Sequence, residues 1–353
     1  MPQEFRPTAS LDALRARAKL LAFTRRFFDD AGYWEVDTPL MSHERVIDSN
    51  IEPFIVPWSA TERLYLQTSP EFAMKRLLAV GADAIYQLGK VMRHGELGRL
   101  HNPEFTMLEW YRVGDTHVEQ MNFVERFVVE FAREAGSLAN AEVRNTEAEN
   151  AANNSDENIT RRSALIAQLS AIPFERLTYD QAFERYAGTK VLARSTSDIV
   201  ALARRLGVSA PESLPTDDRD GWLNLLLAER VEPHLGHDRP TFVFDYPASQ
   251  AALACVRNEG NVAVAERFEL YVNGIELCNG YHELTDATEL QSRIQREAAA
   301  SEKVIPLPTR LLAAMQHGLP PCAGVALGVD RLIMLCLGVN SVREVIPFAF
   351  ERA

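Results

Sequence analysis

The sequence lacks several features by which common classes of protein are recognised. It has only four cysteines among 353 residues and no C-x-x-C pair, which argues against a disulfide scaffold, a zinc knuckle and a redox pair. No stretch approaches the roughly 18 apolar residues needed to cross a bilayer, and the first residues carry no apolar signal region. Neither a Walker A loop nor the fingerprint G-x-G-x-x-G occurs. We therefore expect a soluble, cytoplasmic protein with free thiols and no membrane partner.

A surplus of positive charge is also lacking. The chain has 37 Lys and Arg against 49 Asp and Glu, a net charge of -12, which argues against broad binding of nucleic acid or anionic membrane. Its 46% hydrophobic residues are typical of a globular protein with a substantial core. A local basic patch is compatible with this balance, and ordinary solvated helix faces are the alternative. The candidates for such a patch are Arg25, Arg26, Lys75 and Arg76.

The order of periodic segments predicts an α+β fold in a single domain spanning residues 1–353. Helical spacing begins after Ser10 and ends near Gly32, and it returns in residues 115–135 and 178–230. Strands are predicted near residues 33–40, 64–67, 84–92, 104–113, 241–246 and 266–278. We expect an antiparallel sheet of about six strands flanked by helices. The polar stretch 137–158 has no periodicity and is predicted to be a mobile insertion.

The strand at residues 104–113 has one face of mixed chemistry. Alternation places on that face Phe105, Met107, Glu109 and Tyr111. Such a face is either the solvated side of an antiparallel sheet or part of a binding site. The preceding loop favours a site, because it carries basic side chains that we expect to converge there and hold a polyphosphate while Phe105 stacks on a base. These side chains are Arg93, Arg99 and His101.

A second carboxylate pair is predicted at a tight hairpin turn, Asn273-Gly274. A two-residue turn would place Leu270 opposite Leu277, with Glu269 and Glu276 as diagonal neighbours on one face. Two like charges in that position are unfavourable unless a cation lies between them, and oxygen ligands suit Mg²⁺. The alternative is a pair of solvated glutamates on an exposed hairpin.

The segment Gly324–Arg331 is predicted to be a strand that leads into a helix. Its glycines would let a flat ligand approach the backbone, and Arg331 lies near the helix start, where phosphate is favoured. Close packing of the strand against the helix is the alternative interpretation of the same glycines.

Together these segments resemble the three motifs of class II aminoacyl-tRNA synthetases of the lysyl branch. Residues 32–39 resemble motif 1, residues 93–111 with HNPEFTMLEWY resemble motif 2, and residues 324–331 resemble motif 3. TSPEFAMKRLL, YPASQ and GIELCNGYHELTDA are similar to the elongation factor P lysine ligases within that class. The resemblance spans nearly the whole chain and implies the class II synthetase catalytic fold.

The resemblance implies an ATP site. Arg93 would hold the α-phosphate and the substrate carboxylate, Phe105 would stack on adenine, and Arg331 would hold the γ-phosphate. Motif 2 lacks its usual glutamate after Arg93, so that Glu96 or the loop backbone would supply the adenine contact. Mg²⁺ would be bound by Glu269 and Glu276. The remaining residues of the implied ATP site are His94, Gly95, His101, Asn102, Leu277 and Gly328.

The resemblance also implies a site for a lysine-like amino acid. Glu71 would bind the amino group of the substrate. Two carboxylates and a phenol would surround its side-chain ammonium, namely Glu109, Glu283 and Tyr111. Asn279 would assist at the carboxylate. Ser69, Pro70 and Ala326 complete the set. Ala326 stands where lysyl-tRNA synthetases usually have glycine, which favours (R)-β-lysine over α-lysine.

The activity implied by the resemblance is an ATP-dependent ligase reaction that releases AMP and pyrophosphate. (R)-β-lysine, or lysine, would be activated as an adenylate and transferred to a lysine ε-amine of elongation factor P. Motif 1 implies a homodimer, and because the first motif helix begins near residue 11, we expect no amino-terminal OB-fold and no anticodon-dependent tRNA binding. The alternatives are a truncated synthetase-like enzyme with another acceptor and a non-catalytic regulatory paralogue.

Overall fold

The computed structural model describes residues 5–47, 51–146, 156–300 and 306–353. The helices are α1 Leu11–Asp30, α2 Glu71–Ala79, α3 His117–Thr146, α4 Asp156–Leu169, α5 Tyr179–Ala187, α6 Thr196–Arg205, α7 Arg219–Leu226, α8 Ala287–Ala300, α9 Thr309–Gly318 and α10 Val329–Leu337. The strands are β1 Trp34–Glu35, β2 Met41–Ser42, β3 Ile55–Pro57, β4 Arg63–Leu66, β5 Ala84–Met92, β6 Glu104–Val113, β7 Glu175–Thr178, β8 Thr241–Pro247, β9 Val256–Glu259, β10 Val262–Val272, β11 Ile275–His282 and β12 Cys322–Gly328.

The main sheet runs in the order β1-β5-β6-β12-β11-β10-β8-β7, and β9 pairs with β10. It is antiparallel except where β1 pairs with β5 and β7 with β8. A small separate sheet has the order β2-β4-β3. The α+β fold with a largely antiparallel sheet is confirmed. The prediction of about six strands was too low, because β7 and β9 have only four residues each, too few for a clear alternating pattern.

Helices cover one face of the central strands and leave part of the other face open. α1, α3 and α10 pack over the side of β6 that carries Leu108 and Trp110, both fully buried. Their neighbours Glu109 and Tyr111 point to the opposite side, as strand alternation requires. There a second core joins α2, α8 and α9, and a third joins α5–α7 to β8 and β10. The polar side chains of the central strands therefore line a cleft between these cores.

The first helix follows the sequence prediction closely. The Ser10 side chain accepts a hydrogen bond from the backbone N–H of Ala13 at 3.1 Å, which satisfies a free amide at the helix start. The apolar face of the helix buries Leu20, Phe27 and Phe28 against the sheet. The predicted helix from Ser10 to the region of Gly32 is thus confirmed.

The β10–β11 hairpin has the predicted turn but a different register beyond it. Asn273 and Gly274 have φ values of 51° and 70°, as a tight hairpin turn requires. A bulge then places Leu270 opposite Cys278 instead of Leu277. The predicted Leu270–Leu277 pairing was wrong, because one extra residue in β11 shifts every pair beyond the bulge.

The predicted polar insertion at residues 137–158 is helical at both ends. Residues 137–146 continue α3, and residues 156–158 begin α4. The segment without periodicity predicted there is therefore helical in these two parts. The rest of the predicted insertion, residues 147–155, lies outside the described residues. Among the described helices, none combines the length and apolar character that a membrane span requires.

Candidate active site

A cleft of about 400 Å³ lies on the open face of the central strands. Side chains from β6, β10, β11 and β12 form its floor, and the segment before α2 and the β5–β6 loop form its walls. One end of the cleft is acidic and the other end carries two arginines. The sequence-predicted residues that line the cleft are Ser69, Glu71, Arg93, Glu96, His101, Asn102, Phe105, Glu109, Tyr111, Glu269, Glu276, Leu277, Asn279, Glu283, Ala326, Gly328 and Arg331.

At the acidic end, hydrogen bonds orient Glu109. Its Oε2 accepts a hydrogen bond from Ser69 Oγ at 2.7 Å, and its Oε1 accepts one from the Tyr111 hydroxyl at 2.7 Å. Ser69 Oγ also accepts a hydrogen bond from the Glu71 backbone N–H at 3.0 Å, which ties this contact to the start of α2. Neighbouring elements of the fold therefore hold Glu109 in one orientation.

Two further carboxylates flank a lysine of the chain itself. Lys75 Nζ lies 2.6 Å from Glu71 Oε1 and 2.5 Å from Glu283 Oε2, and the Lys75 side chain is only 2% exposed. The prediction that Lys75 belongs to a surface basic patch was wrong. Its spacing of four residues from Glu71 places both side chains on one face of α2, a signal that the sequence did contain.

The acidic end has more carboxylates than internal cations. Burial, followed by the charge of Glu71, raises the pKa of Glu109 to about 7. Burial also raises the pKa of Glu283 to about 8, although the Lys75 ammonium opposes that rise. Burial lowers the pKa of Lys75, but Glu283 and Glu71 outweigh it and hold that pKa above its ordinary value. One ammonium among three carboxyl groups leaves acceptors for a cationic ligand, whose charge would lower the pKa values of Glu109 and Glu283 and favour their ionised forms.

Space for that ligand depends on Gly324. A Cβ at this position would lie 2.2 Å from Tyr111 Cε1 and 2.9 Å from Glu283 Oε1. Ala326, two residues further along β12, pairs with Glu109 on β6 and with Asn279 on β11. The Ala326 methyl group therefore shares the cleft floor with the acidic residues.

The opposite end of the cleft is basic. The Arg93 guanidinium lies 5.2 Å from the centre of the Phe105 ring, and Arg331 Nη1 donates to the Glu276 backbone oxygen at 2.7 Å. Arg331 Nη2 also lies 2.6 Å from His101 Nε2, where burial and then the Arg331 charge lower the pKa of His101. A neutral imidazole leaves the positive charge of this end on the two guanidinium groups, which suits a phosphorylated ligand.

Some predicted residues lie away from the cleft wall. Arg99 does not join Arg93 and His101, because it is exposed and donates to the Asn340 backbone oxygen at 3.0 Å. His94 is exposed and lies 3.5 Å from a Glu52 carboxylate oxygen. Two others do not line the cleft, namely Gly95 and the α2 N-cap residue Pro70. The remaining members of the predicted basic patch are exposed, namely Arg25, Arg26 and Arg76.

The two glutamates predicted to bind Mg²⁺ both line the cleft but differ in their partners. Glu269 Oε1 is contacted by Arg267 at 2.5 Å and by Asn279 at 3.3 Å, and its Oε2 by the hydroxyls of Tyr246 at 2.6 Å and Tyr271 at 2.5 Å. These four donors use about all the acceptor positions of one carboxylate. Glu269 could therefore bind a cation only after one donor is displaced.

Glu276 is the better cation ligand of the pair. Its side chain is 42% exposed, and Arg331 Nη1 lies 3.9 Å from its carboxylate. The cleft removes part of the water around this side chain, and this desolvation and then the charge of Glu269 raise the pKa of Glu276. A free carboxylate beside a second carboxylate is a donor set that fits an oxygen-preferring dication such as Mg²⁺.

Sequence reasoning missed two charged residues around the cleft, the partly buried Arg267 and the buried Asp330. Arg267 lies in the cleft and contacts Glu269, as described above. Asp330 accepts a hydrogen bond from the Thr106 backbone N–H at 3.0 Å and forms an ion pair with Arg17 at 2.7 Å. This second contact connects α1, β6 and α10 behind the cleft. Only tertiary packing brings Arg17 to Asp330, whereas Arg267 and Glu269 lie two residues apart on β10, a spacing that places both side chains on one face.

Comparison with protein families agrees with this geometry. Residues 4–352 match the model of the class II tRNA synthetases (D, K and N), and the chain belongs to that family. Within it, the chain is 42% identical over 362 residues to the elongation factor P–(R)-β-lysine ligase of Vibrio vulnificus, with 100% of both chains covered. The ligase of the same name from Vibrio parahaemolyticus is 41% identical over 362 residues. That of Salmonella paratyphi B is 40% identical over 358 residues, covering 99% of this chain and 98% of the relative.

Proposed function

We propose that this chain activates (R)-β-lysine with ATP and transfers it to a lysine ε-amine of elongation factor P. The observation that carries the proposal is the charge distribution of the cleft. Three carboxylates with one internal ammonium lie at one end, and Arg93 and Arg331 lie at the other. A diamino acid and a triphosphate together need that arrangement, and the names of the relatives point to the same substrate and acceptor.

The reaction has two steps. The substrate carboxylate attacks the α-phosphorus of ATP, a carboxyl–phosphate bond forms, and pyrophosphate leaves. The acceptor amine then attacks the carbonyl carbon of the adenylate, loses a proton, and displaces AMP as the amide forms. Neither step requires a nucleophile from the enzyme, so that positioning and charge neutralisation supply the catalysis.

The cleft residues have separate roles in this proposal. The carboxylates of Glu109 and Glu283 would receive the side-chain ammonium, while Arg93 and Arg331 would bind phosphate oxygens and stabilise the charge that develops at phosphorus. Glu276, with Glu269 beside it, would hold Mg²⁺, which neutralises triphosphate charge when it is bound.

The preference for the β-isomer is assigned to Ala326. Its methyl group lies between Asn279 and Glu109 in the strand register, on the floor of the amino-acid end. A methyl group there reduces the space close to the backbone, where the α-amino group of α-lysine would lie, and shifting that amino group by one carbon relieves the crowding.

A homodimer is also part of the proposal. Large apolar side chains are exposed along the segment that resembles motif 1 and the small sheet that follows it, including Trp34 at 50%, Ile55 at 51% and Trp58 at 63%. Exposed apolar side chains grouped in one segment favour burial against a partner. We also propose that the chain acts as a single catalytic domain without anticodon-dependent tRNA binding. We assign it to the cytoplasm, because the proposed acceptor is a translation factor.

The test is ATP–pyrophosphate exchange by the purified protein with Mg²⁺ and single amino acids. Exchange should be strongest with (R)-β-lysine and weaker with α-lysine. Ala326→Gly should raise exchange with α-lysine relative to (R)-β-lysine. Equal exchange with both isomers in the unchanged protein would contradict the assignment of specificity, and no exchange with any amino acid would contradict the proposed activity.

A further inference from the structure

A second group of potential ligand atoms lies outside the catalytic cleft. Cys255, Glu266 and His282 each offer one ligand atom, and these three atoms lie within 4.8 Å of one another. Cys255 precedes β9, Glu266 is in β10, and His282 ends β11. None of the three belongs to the residues that line the cleft, and all three are partly exposed. The group therefore lies on a separate, solvent-accessible part of the sheet.

Backbone hydrogen bonds hold the three residues together. The Cys255 N–H donates to the His282 oxygen at 2.7 Å, and the Glu266 N–H donates to the Cys255 oxygen at 2.9 Å. His282 Nδ1 is also hydrogen-bonded to Glu266 Oε2. Because the sheet already determines their separation, a ligand would need to order side chains only, which lowers the entropic cost of binding.

The type of donor indicates the type of ion. A thiolate sulfur, an imidazole nitrogen and a carboxylate oxygen are the three kinds of protein ligand that Zn²⁺ accepts, whereas Mg²⁺ and Ca²⁺ prefer oxygen alone. A thiolate with Glu266 would also neutralise a dication. Partial exposure leaves room for water as a fourth ligand, as in open tetrahedral zinc sites.

Neighbouring charges are compatible with such an ion. Arg257 Nε lies 3.8 Å from Glu266 Oε1. The two terminal nitrogens of Arg257 donate to the Asp245 carboxylate at 2.7 and 2.8 Å, so that a carboxylate outside the group already pairs with this guanidinium. Without an ion, the Cys255 thiol donates to the Glu283 backbone oxygen at 3.2 Å, and His282 Nδ1 is bonded to Glu266 Oε2. Metal binding would replace the thiol bond and would compete with the contact between His282 and Glu266.

We propose that Cys255, Glu266 and His282 form a binding site for a zinc-type transition-metal dication, separate from the catalytic cleft. The site requires no change in the reaction described above and stands independently of it. Metal binding is measured without ATP or amino acid, so failure of the metal site and failure of the proposed activation give different results.

The test is a Co²⁺ and Zn²⁺ titration of the full-length, chelator-treated protein without ATP. One equivalent of Co²⁺ should produce a sulfur-to-metal charge-transfer band together with the visible bands of four-coordinate cobalt, and Zn²⁺ should abolish both. Cys255→Ser should remove the charge-transfer band, and His282→Gln should weaken binding at least about 10-fold. The matched control is His317→Gln, which removes a histidine exposed at the end of α9 and should change nothing.

A second measurement uses only the unchanged protein, in case a variant folds poorly. Stoichiometric Zn²⁺ should slow alkylation of Cys255 by iodoacetamide, as read from the modified peptide by mass spectrometry. The proposal is overturned if cobalt gives no charge-transfer band, if the band persists in folded Cys255→Ser, or if Zn²⁺ leaves the alkylation rate of Cys255 unchanged.

Discussion

Replacing Lys75 with methionine should destabilise the protein strongly, because Lys75 is the internal counter-ion of the acidic end. Its ammonium lies 2.6 Å from Glu71 and 2.5 Å from Glu283, and its side chain is 2% exposed. Methionine keeps a similar unbranched shape but leaves both carboxylates without a cation. Removing one partner of a buried ion pair costs about 3–5 kcal/mol of unfolding free energy.

The assay is urea denaturation of the ligand-free protein at pH 8, with Arg76→Met as the matched control. Arg76 follows Lys75 on the same helix but is exposed, so we expect its replacement to change the unfolding free energy by less than about 0.5 kcal/mol. A loss of less than about 1 kcal/mol in Lys75→Met would refute the counter-ion role.

The cost of Lys75→Met should also depend on pH. Without the ammonium, which opposes the rise, the folded-state pKa of Glu283 lies still further above its unfolded value, so the folded variant binds more protons than the unfolded chain. Its stability then increases as the pH falls. The difference between the unchanged protein and the variant should therefore be smaller at pH 5.5 than at pH 8, and a constant difference would contradict this reasoning.

Three further predictions concern the same cleft. Gly324→Ala should lower kcat/KM for amino-acid activation at least ~10-fold, because the added Cβ would lie 2.2 Å from Tyr111 Cε1. Unchanged kinetics would show that the Tyr111 ring moves aside without cost. Glu109→Gln should raise KM for the amino acid, since a hydrogen bond to a charged group contributes about 1.5–3 kcal/mol, while KM for ATP stays within about two-fold by steady-state kinetics. The raised pKa of Glu109, about 7 in the folded protein, adds stability that is fully present below about pH 4.5 and is lost as the pH rises through 7. Urea denaturation should show that the unfolding free energy of the unchanged protein falls between pH 5 and pH 8, and that it falls less in Glu109→Gln. Equal decreases in the two proteins would contradict the raised pKa of Glu109.

Structural features that depend on residues close together in the sequence could be predicted. Alternation along one strand was enough to place Glu109 and Tyr111 on the same face, and the Asn273-Gly274 pair was enough to locate a hairpin turn. The Ser10 cap likewise marked the start of α1. In each case the physical constraint acts over a few residues, so a single sequence contains it.

Features set by packing could not be predicted in the same way. The bulge between Leu270 and Tyr271 changes the pairing of β10 with β11, yet no glycine or proline marks it in the sequence. The four-residue spacing of Glu71 and Lys75 predicts their contact on one face of α2, but only tertiary packing brings Glu283 to Lys75. Arg99 lies in the same loop as Arg93 but turns to Asn340, near the other end of the chain.

The central claim is that the activated amino acid is transferred to elongation factor P. The most direct measurement is the intact mass of purified elongation factor P after incubation with this protein, ATP, Mg²⁺ and (R)-β-lysine, followed by mapping of the modified peptide. The account predicts the addition of one lysyl unit at one lysine side chain, and no addition with the Arg331→Ala variant. An unmodified factor, in a sample whose ATP–pyrophosphate exchange is active, would contradict it.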